Sequence, residues 1–229
     1  VRVGLADDSE LFRRAMAGLL TASGADVVLQ AGSGRELLDQ LDQLGSNQLD
    51  LAVLDVRMPP TFTEEGLDTA AELGRSHPGL AVLLVSTYAE TAYAIRIFQR
   101  GSARRGYLLK EALDRPELRR ALERLHTGGS VLDPAIVLRL IGSPRCQEAL
   151  TRLTARQRQI LPLLAQGYRD AEIAEALGLD EIVIQNDIGT ALGELGIEES
   201  PDRLLAVLTW LRAQLRNSPD AEVSEPPGR

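Results

Sequence analysis

Three aspartates, one hydroxyl and one ammonium group stand out in this chain for what they could do together. They are the adjacent pair Asp7-Asp8, then Asp55, Ser86 and Lys110. Carboxylates brought close repel one another, and keeping all of them ionised is costly without a cation. A hard divalent ion with oxygen ligands and retained waters removes that penalty, which is the preference of Mg²⁺. Such an ion also draws in a phosphoryl group and neutralises its equatorial oxygens. A carboxylate can then attack phosphorus and carry it as aspartyl-phosphate, and Asp55 is the natural nucleophile. Lys110 would pair with a second phosphoryl oxygen, and Ser86 would donate a hydrogen bond to a third. Lys110 is marked in another way: it is the only lysine among 25 basic residues. A lone ammonium in an arginine-rich chain points to a place where a planar guanidinium would not serve.

Those residues can meet only if the chain positions them, and its hydrophobic pattern does so. Short aliphatic runs at 2–6, 27–31, 49–54, 80–85 and 106–109 alternate with helix-period stretches at 10–22, 34–43, 66–75, 91–100 and 115–127. In the first helix Leu11, Ala15, Leu19 and Ala22 recur at three or four residues, the spacing of one buried face. Five β–α units with nearly continuous apolar strands describe a doubly wound parallel sheet, covered by helices on both faces. Ligands of such sheets bind outside the carboxyl ends of the strands, where strand order reverses. Strand one ends at Asp7-Asp8, strand three at Asp55, strand four at Ser86-Thr87 and strand five at Lys110. Taken singly, Asp7 or Asp8 could cap the helix after it and Lys110 could be a solvated surface charge. Four strand ends agreeing is what carries the chemical interpretation.

Composition sets outer bounds. The 229 residues suffice for two ordinary domains, and the formal net charge is −8. That balance is unfavourable for unaided nucleic-acid binding. The longest aliphatic run, Leu80 to Val85, is too short to span a bilayer, and the first residues, Val1-Arg2-Val3-Gly4-Leu5, form neither a basic segment nor a signal-like apolar stretch. One cysteine, Cys146, has no internal partner, as expected in a reducing cytoplasm. No membrane association is expected. The first residue is Val rather than Met, so one residue or more is expected to precede it.

Asp7-Asp8, the run Leu54-Asp55-Val56-Arg57-Met58-Pro59, Ser86, and Gly106-Tyr107-Leu108-Leu109-Lys110 closely resemble the receiver domain of two-component response regulators. The resemblance covers residues 2 to about 126. It implies a flavodoxin-like fold in which Asp55 accepts phosphate from the histidine of a sensor kinase. It further implies Mg²⁺ bound by Asp8, Asp55 and the backbone carbonyl of Arg57, with Asp7 acting through metal-bound water. Ser86 would move toward the phosphoryl group and Tyr107 would swing inward behind it, as a switch. Two stretches, 59–66 and 101–106, look longer than in the commonest receivers and are expected to be loop insertions.

After Gly128-Gly129 the chain is expected to form a partly helical linker, broken at Gly142-Ser143-Pro144, and from Leu153 to about Leu215 its pattern is helical only. The expected layout is a receiver at 1–127, a linker at 128–149, a four-helix domain at 150–215 and a disordered tail at 216–229. The run Leu153 to Leu161, with Ala165-Gln166-Gly167, Glu172-Ile173-Ala174, Leu177-Gly178-Leu179 and Leu195-Gly196-Ile197, is similar to the LuxR/NarL helix-turn-helix domain. The pair implies a NarL-type transcription regulator whose third helix, 181–195, enters the major groove.

The departures fall on that helix. Where the family has Thr-Val-Lys-x-His, this chain has Val183-Ile184-Gln185-Asn186-Asp187, and no Lys or Arg occurs from 181 to 195. Across 148–213 six arginines face eleven acids, whereas DNA affinity rests largely on phosphate neutralisation. Pro162 inside the first helix of this domain predicts a kink, at a cost of roughly 3 kcal/mol unless the local structure adjusts. The DNA contacts expected are Gln185, Asn186, Arg156, Arg158 and Arg169, strengthened by dimerisation with itself or with a related regulator. The rival expectation is a phospho-switched protein-interaction module that acts through a partner. There the acidic third helix and the stripe Leu204, Leu205, Leu208, Trp210 would contact protein. An enzyme with its own substrate is not expected, because nothing beyond the receiver site would organise a substrate pocket.

Overall fold

The computed structural model describes residues 1–44, 48–198 and 200–216. It divides into two compact units, Val1–Asp133 and Pro134–Arg229. The expected disordered tail lies, beyond Arg216, outside the described residues.

In the first unit, strands β1 (Arg2–Ala6), β2 (Asp26–Ala31), β3 (Leu51–Asp55), β4 (Ala81–Ser86), β5 (Arg105–Leu109) and β6 (Val131–Leu132) alternate with helices. The helices are α1 (Glu10–Ala22), α2 (Gly34–Leu44), α3 (Glu65–Ser76), α4 (Thr91–Phe98) and α5 (Arg115–His126). All strands are parallel, in the order β2-β1-β3-β4-β5-β6. The order reverses between β1 and β3, the crevice where this class of sheet binds ligands. Every residue of β3 and β4 is buried, as strands covered on both faces require. Val3, Leu5, Val53, Leu83 and Val85 pack with Met16 and Leu20 of α1 and with Leu118, Leu122 and Leu125 of α5 in one continuous core.

Three expectations are corrected here. The sheet has six strands, not five, because Val131 and Leu132, read as linker, pair with Gly106 and Tyr107. The face of α1 has the expected period but another phase. Met16 and Leu20 are buried and Leu11 is 82% exposed, so Phe12 rather than Leu11 leads the inward row. Helix α1 is capped by Ser9, whose hydroxyl accepts the Phe12 amide, and this leaves both Asp7 and Asp8 free of that task.

The second unit is built of α6 (Pro134–Ile141), α7 (Pro144–Leu150), α8 (Ala155–Ala165), α9 (Asp170–Leu177), α10 (Glu181–Glu194) and α11 (Arg203–Arg216). Gly142-Ser143-Pro144 does not merely break the chain. The Ser143 hydroxyl accepts the Cys146 amide and Pro144 opens α7, a favourable helix start. Thr154 and Gln157 form a reciprocal capping box on α8, which runs through Pro162 to Ala165 without ending there. Leu204, Val207, Leu208 and Leu211 of α11 are buried. The stripe proposed for a partner therefore gives Leu204 and Leu208 to the unit's own core, because the inward row of α11 runs through them. Among the described residues no helix is long and apolar enough to cross a membrane.

Candidate functional site

The strand ends bring together what the sequence placed there. Oxygens of Asp7, Asp8 and Asp55 lie within 4.8 Å of one another. Lys110 reaches them from the end of β5, its Nζ 2.6 Å from Asp7 Oδ2 and 3.2 Å from Asp55 Oδ1. Asp7 and Asp55 are buried, whereas Asp8 is exposed. The cluster is thus open on one side, and its two inner carboxylates share one ammonium. Loss of water around Asp55 raises its pKa above the ordinary carboxylate value; Lys110 opposes that rise and Asp7 adds to it.

Backbone contacts hold each group. The Asp7 amide donates to Ala31 O at 3.1 Å, and Asp7 Oδ1 accepts the Ser9 amide at 2.9 Å. The Arg13 guanidinium donates to the Asp7 carbonyl at 2.5 Å. Asp55 Oδ1 accepts the Val56 amide at 2.9 Å. Gly66, at the start of α3, lies so close that a Cβ there would stand 1.9 Å from the Asp55 carbonyl oxygen. Only glycine lets α3 approach the carboxyl end of β3. Lys110 Nζ also lies 4.0 Å from the centre of the Phe12 ring, a cation–π contact that orients it. The Leu109 amide, next to it, donates to the buried Asp133 at 3.0 Å.

Ser86 and Tyr107 meet at one carbonyl. The Ser86 hydroxyl donates to Tyr88 O at 3.1 Å and the Tyr107 hydroxyl donates to the same oxygen at 2.9 Å. The Tyr107 ring is fully buried. The ring expected to swing inward already stands inward in this structure. Burial pushes its phenol up to about 12.

Arg57 was singled out for its backbone carbonyl, yet its side chain is also engaged. It donates to Glu90 at 2.7 Å and stacks on the Tyr88 ring at 4.4 Å, while its Nε is buried without a partner. It ties the loop after β3 to the loop after β4. Sequence reasoning missed this, along with Phe12, Arg13 and Asp133. Phe12 and Arg13 could have been found by placing the α1 face correctly; nothing in the sequence marks the others.

In the second unit α10 exposes Gln185 and Asn186 and buries Ile184, Ile188, Ala191 and Leu192. The three arginines expected to meet DNA phosphates are already engaged. Arg156 forms a two-pronged pair with Asp187, one prong at 3.0 Å. Arg158 donates to the carbonyls of Leu150 and Leu153. Arg169 lies 3.5 Å from Glu172. Asp187 faces Arg156, so part of the acidity that sets this helix apart is balanced within the unit.

An open parallel sheet with buried carboxylates and one ammonium at its switch point defines a phosphoacceptor-like α/β domain, here followed by a helical unit. Comparison with known proteins gives the family. Residues 3–123 match the response regulator receiver domain. The chain is 32% identical to the DNA-binding transcriptional activator DevR/DosR of Mycobacterium tuberculosis, over 86% of this chain and 89% of that one. It is 31% identical to the probable transcriptional regulatory protein NarL of the same species, over 94% and 95%. Among solved structures, the Salmonella typhimurium RcsB response regulator aligns with a TM-score of 0.52 at 22% identity, over 93% of this chain and 98% of that one, a likeness of fold. The chain belongs to the two-component response regulators of the NarL/LuxR type.

Proposed function

We propose that this chain controls transcription in response to phosphorylation of Asp55 by a sensor histidine kinase. The observation that carries this reading is the set of three aspartates within 4.8 Å with Lys110 bound to the inner two. In the transfer, an Asp55 carboxylate oxygen forms a bond to phosphorus. The bond from phosphorus to the donor's imidazole nitrogen breaks, and its electron pair stays with the imidazole, which takes up a proton. Lys110 holds one phosphoryl oxygen. Ser86 gives up its bond to the Tyr88 carbonyl and donates to another, while Tyr107 keeps that carbonyl in place.

The oxygen-only donor set fits Mg²⁺. Asp8, Asp55 and the Arg57 carbonyl would hold it, with Asp7 behind a bound water. The ion supplies charge neutralisation for the incoming phosphoryl oxygens. Exposure of Asp8 leaves that side open to solvent and to a donor.

The output is assigned to the helical unit, with α10 as the groove-reading helix and Gln185 and Asn186 as base contacts. The relative DevR/DosR is named a DNA-binding transcriptional activator, which supports the same role here. Arg156, Arg158 and Arg169 would meet phosphate only by leaving their present partners, and a second copy or a related regulator would double the footprint.

Incubation with a small acyl-phosphate and Mg²⁺ should add one phosphate to the wild type and none to Asp55→Asn. Uptake by that variant would move the acceptor elsewhere. Titration of the phosphorylated chain with promoter DNA should give an affinity that falls with salt. Absence of any DNA complex at low salt would remove the transcriptional role.

A further inference from the structure

At the opposite end of the sheet from the acidic cluster, a cavity of about 340 Å³ opens between α3, the end of α4 and the first residue of β5. Four arginines line it, Arg75, Arg96, Arg100 and Arg105, against the single acid Asp68. This is a cationic site in a chain of net charge −8. Arg96 is held by Glu64 and Asp68. Arg75 and Arg100 have no carboxylate partner among the described residues.

Arg105 is the informative member. Its Nη1 donates to the carbonyls of Leu80 at 2.9 Å and Arg104 at 3.2 Å, and among the described residues it forms no ion pair with a carboxylate. Burial alone pushes its pKa below the ordinary guanidinium value, so the site holds a half-buried charge that an anion would stabilise. Its other terminal nitrogen lies close against α3 at Gly74, where a Cβ would stand 3.1 Å from that nitrogen. Leu67, Ala70, Ala71 and Ile97 supply apolar wall, and Gln99 adds an amide.

We propose that this cavity binds a small anion carrying two or more phosphoryl groups, of about mononucleotide size. Planar guanidinium forks match phosphate oxygens two at a time. The volume sits at the low end for small-molecule sites, about 300 Å³, and the apolar walls suit a base or sugar. A ligand here would hold α3, α4 and β5 together, and β5 carries Tyr107. The site is separate from the phosphoacceptor reading and does not depend on it.

The test is calorimetric titration of the full chain with tripolyphosphate, with a nucleoside triphosphate and with a nucleoside monophosphate. A chelator is present throughout, so that the acidic cluster cannot recruit phosphate through a metal. Saturable binding of the first two, at least tenfold tighter than the monophosphate, is expected. The exposed pair Arg75→Gln/Arg100→Gln should fold as the wild type does, by circular dichroism and Tm, and bind at least tenfold more weakly; Arg105→Gln should do the same. Asp55→Asn should bind as the wild type. A nucleotide tighter than tripolyphosphate means that the apolar walls read the base, whereas equal affinity means that phosphate alone is read; either supports the site. No saturable binding below millimolar concentration, or unchanged affinity in the double variant, overturns it.

Discussion

The ammonium of Lys110 is bound to Asp7 at 2.6 Å, closer than the 3.2 Å that separates it from Asp55. Both carboxylates are largely buried, so one cation supports two acids. A divalent ion held by Asp8 and Asp55 would supply part of that charge neutralisation and would leave the ammonium able to turn toward a phosphoryl oxygen.

Lys110→Ala should therefore destabilise the metal-free protein by about 3 kcal/mol, the effect of leaving a buried charge unpaired. Added Mg²⁺ should narrow the difference, since an ion that binds only the folded state stabilises it. Urea unfolding with and without MgCl₂ measures both. A gap that is the same in the two buffers would show that the ammonium and the metal do not substitute for each other.

Tyr107→Phe removes one of the two hydrogen bonds at the Tyr88 carbonyl, at a cost of about 1 kcal/mol at neutral pH. The phenol is held near 12 in the folded state against an ordinary value of 10.0, so folding favours its neutral form. That contribution is present below pH 10 and is lost as pH rises toward 12. Wild type should lose stability over that window faster than the phenylalanine variant, read by urea midpoints at successive pH values. Parallel curves would place the shift outside the folded state.

At the other end of β1, Asp50 accepts bonds from the Arg2 amide at 2.7 Å and from its guanidinium at 2.8 Å. Those bonds hold the carboxyl at about 2, against an ordinary 3.8. A depressed carboxylate contributes stability that is complete above the unfolded value and disappears as pH falls through the folded one. Asp50→Asn should be less stable than wild type at pH 7, and the difference should close between about pH 4 and pH 2. Thermal unfolding at pH 7, 4 and 3 checks it; a constant difference would mean that the amide loses only packing.

Arg156 and Asp187, 31 residues apart, lock a nominated phosphate contact to the helix expected to read DNA. Asp187→Asn removes one negative charge and releases the guanidinium. DNA binding should strengthen at low salt, and the slope of log affinity against log salt should steepen by about one. An unchanged slope would place Arg156 away from the duplex.

The site was legible in the sequence because each of its residues closes a strand, and strands buried on both faces are easy to see. Asp7, Asp55, Ser86 and Lys110 needed only the alternation of β and α to be brought together. The sixth strand was hidden by its two-residue length: Val131 and Leu132 gain their meaning from Gly106 and Tyr107 across the sheet. The start of α7 was hidden because Gly142-Ser143-Pro144 ends one helix with the same residues that begin the next. Opposite charges such as Arg156 and Asp187 balance in three dimensions, and a count along one helix sees only the acid. Arg57 was noticed for its carbonyl, while its guanidinium acts through Tyr88 and Glu90, whose roles appear only once two loops lie side by side.

The parallel order of the sheet has a consequence for synthesis. Asp7 and Lys110 are 103 positions apart, and a chain made at about 5–20 residues per second exposes them roughly 5 to 20 seconds apart. Until the later residue leaves the ribosome, the acidic pocket has no counter-ion of its own. If phosphoryl transfer to Asp55 needs that ammonium, a nascent or prematurely terminated chain would be deaf to the kinase, able to receive a signal only once its fifth strand had been delivered.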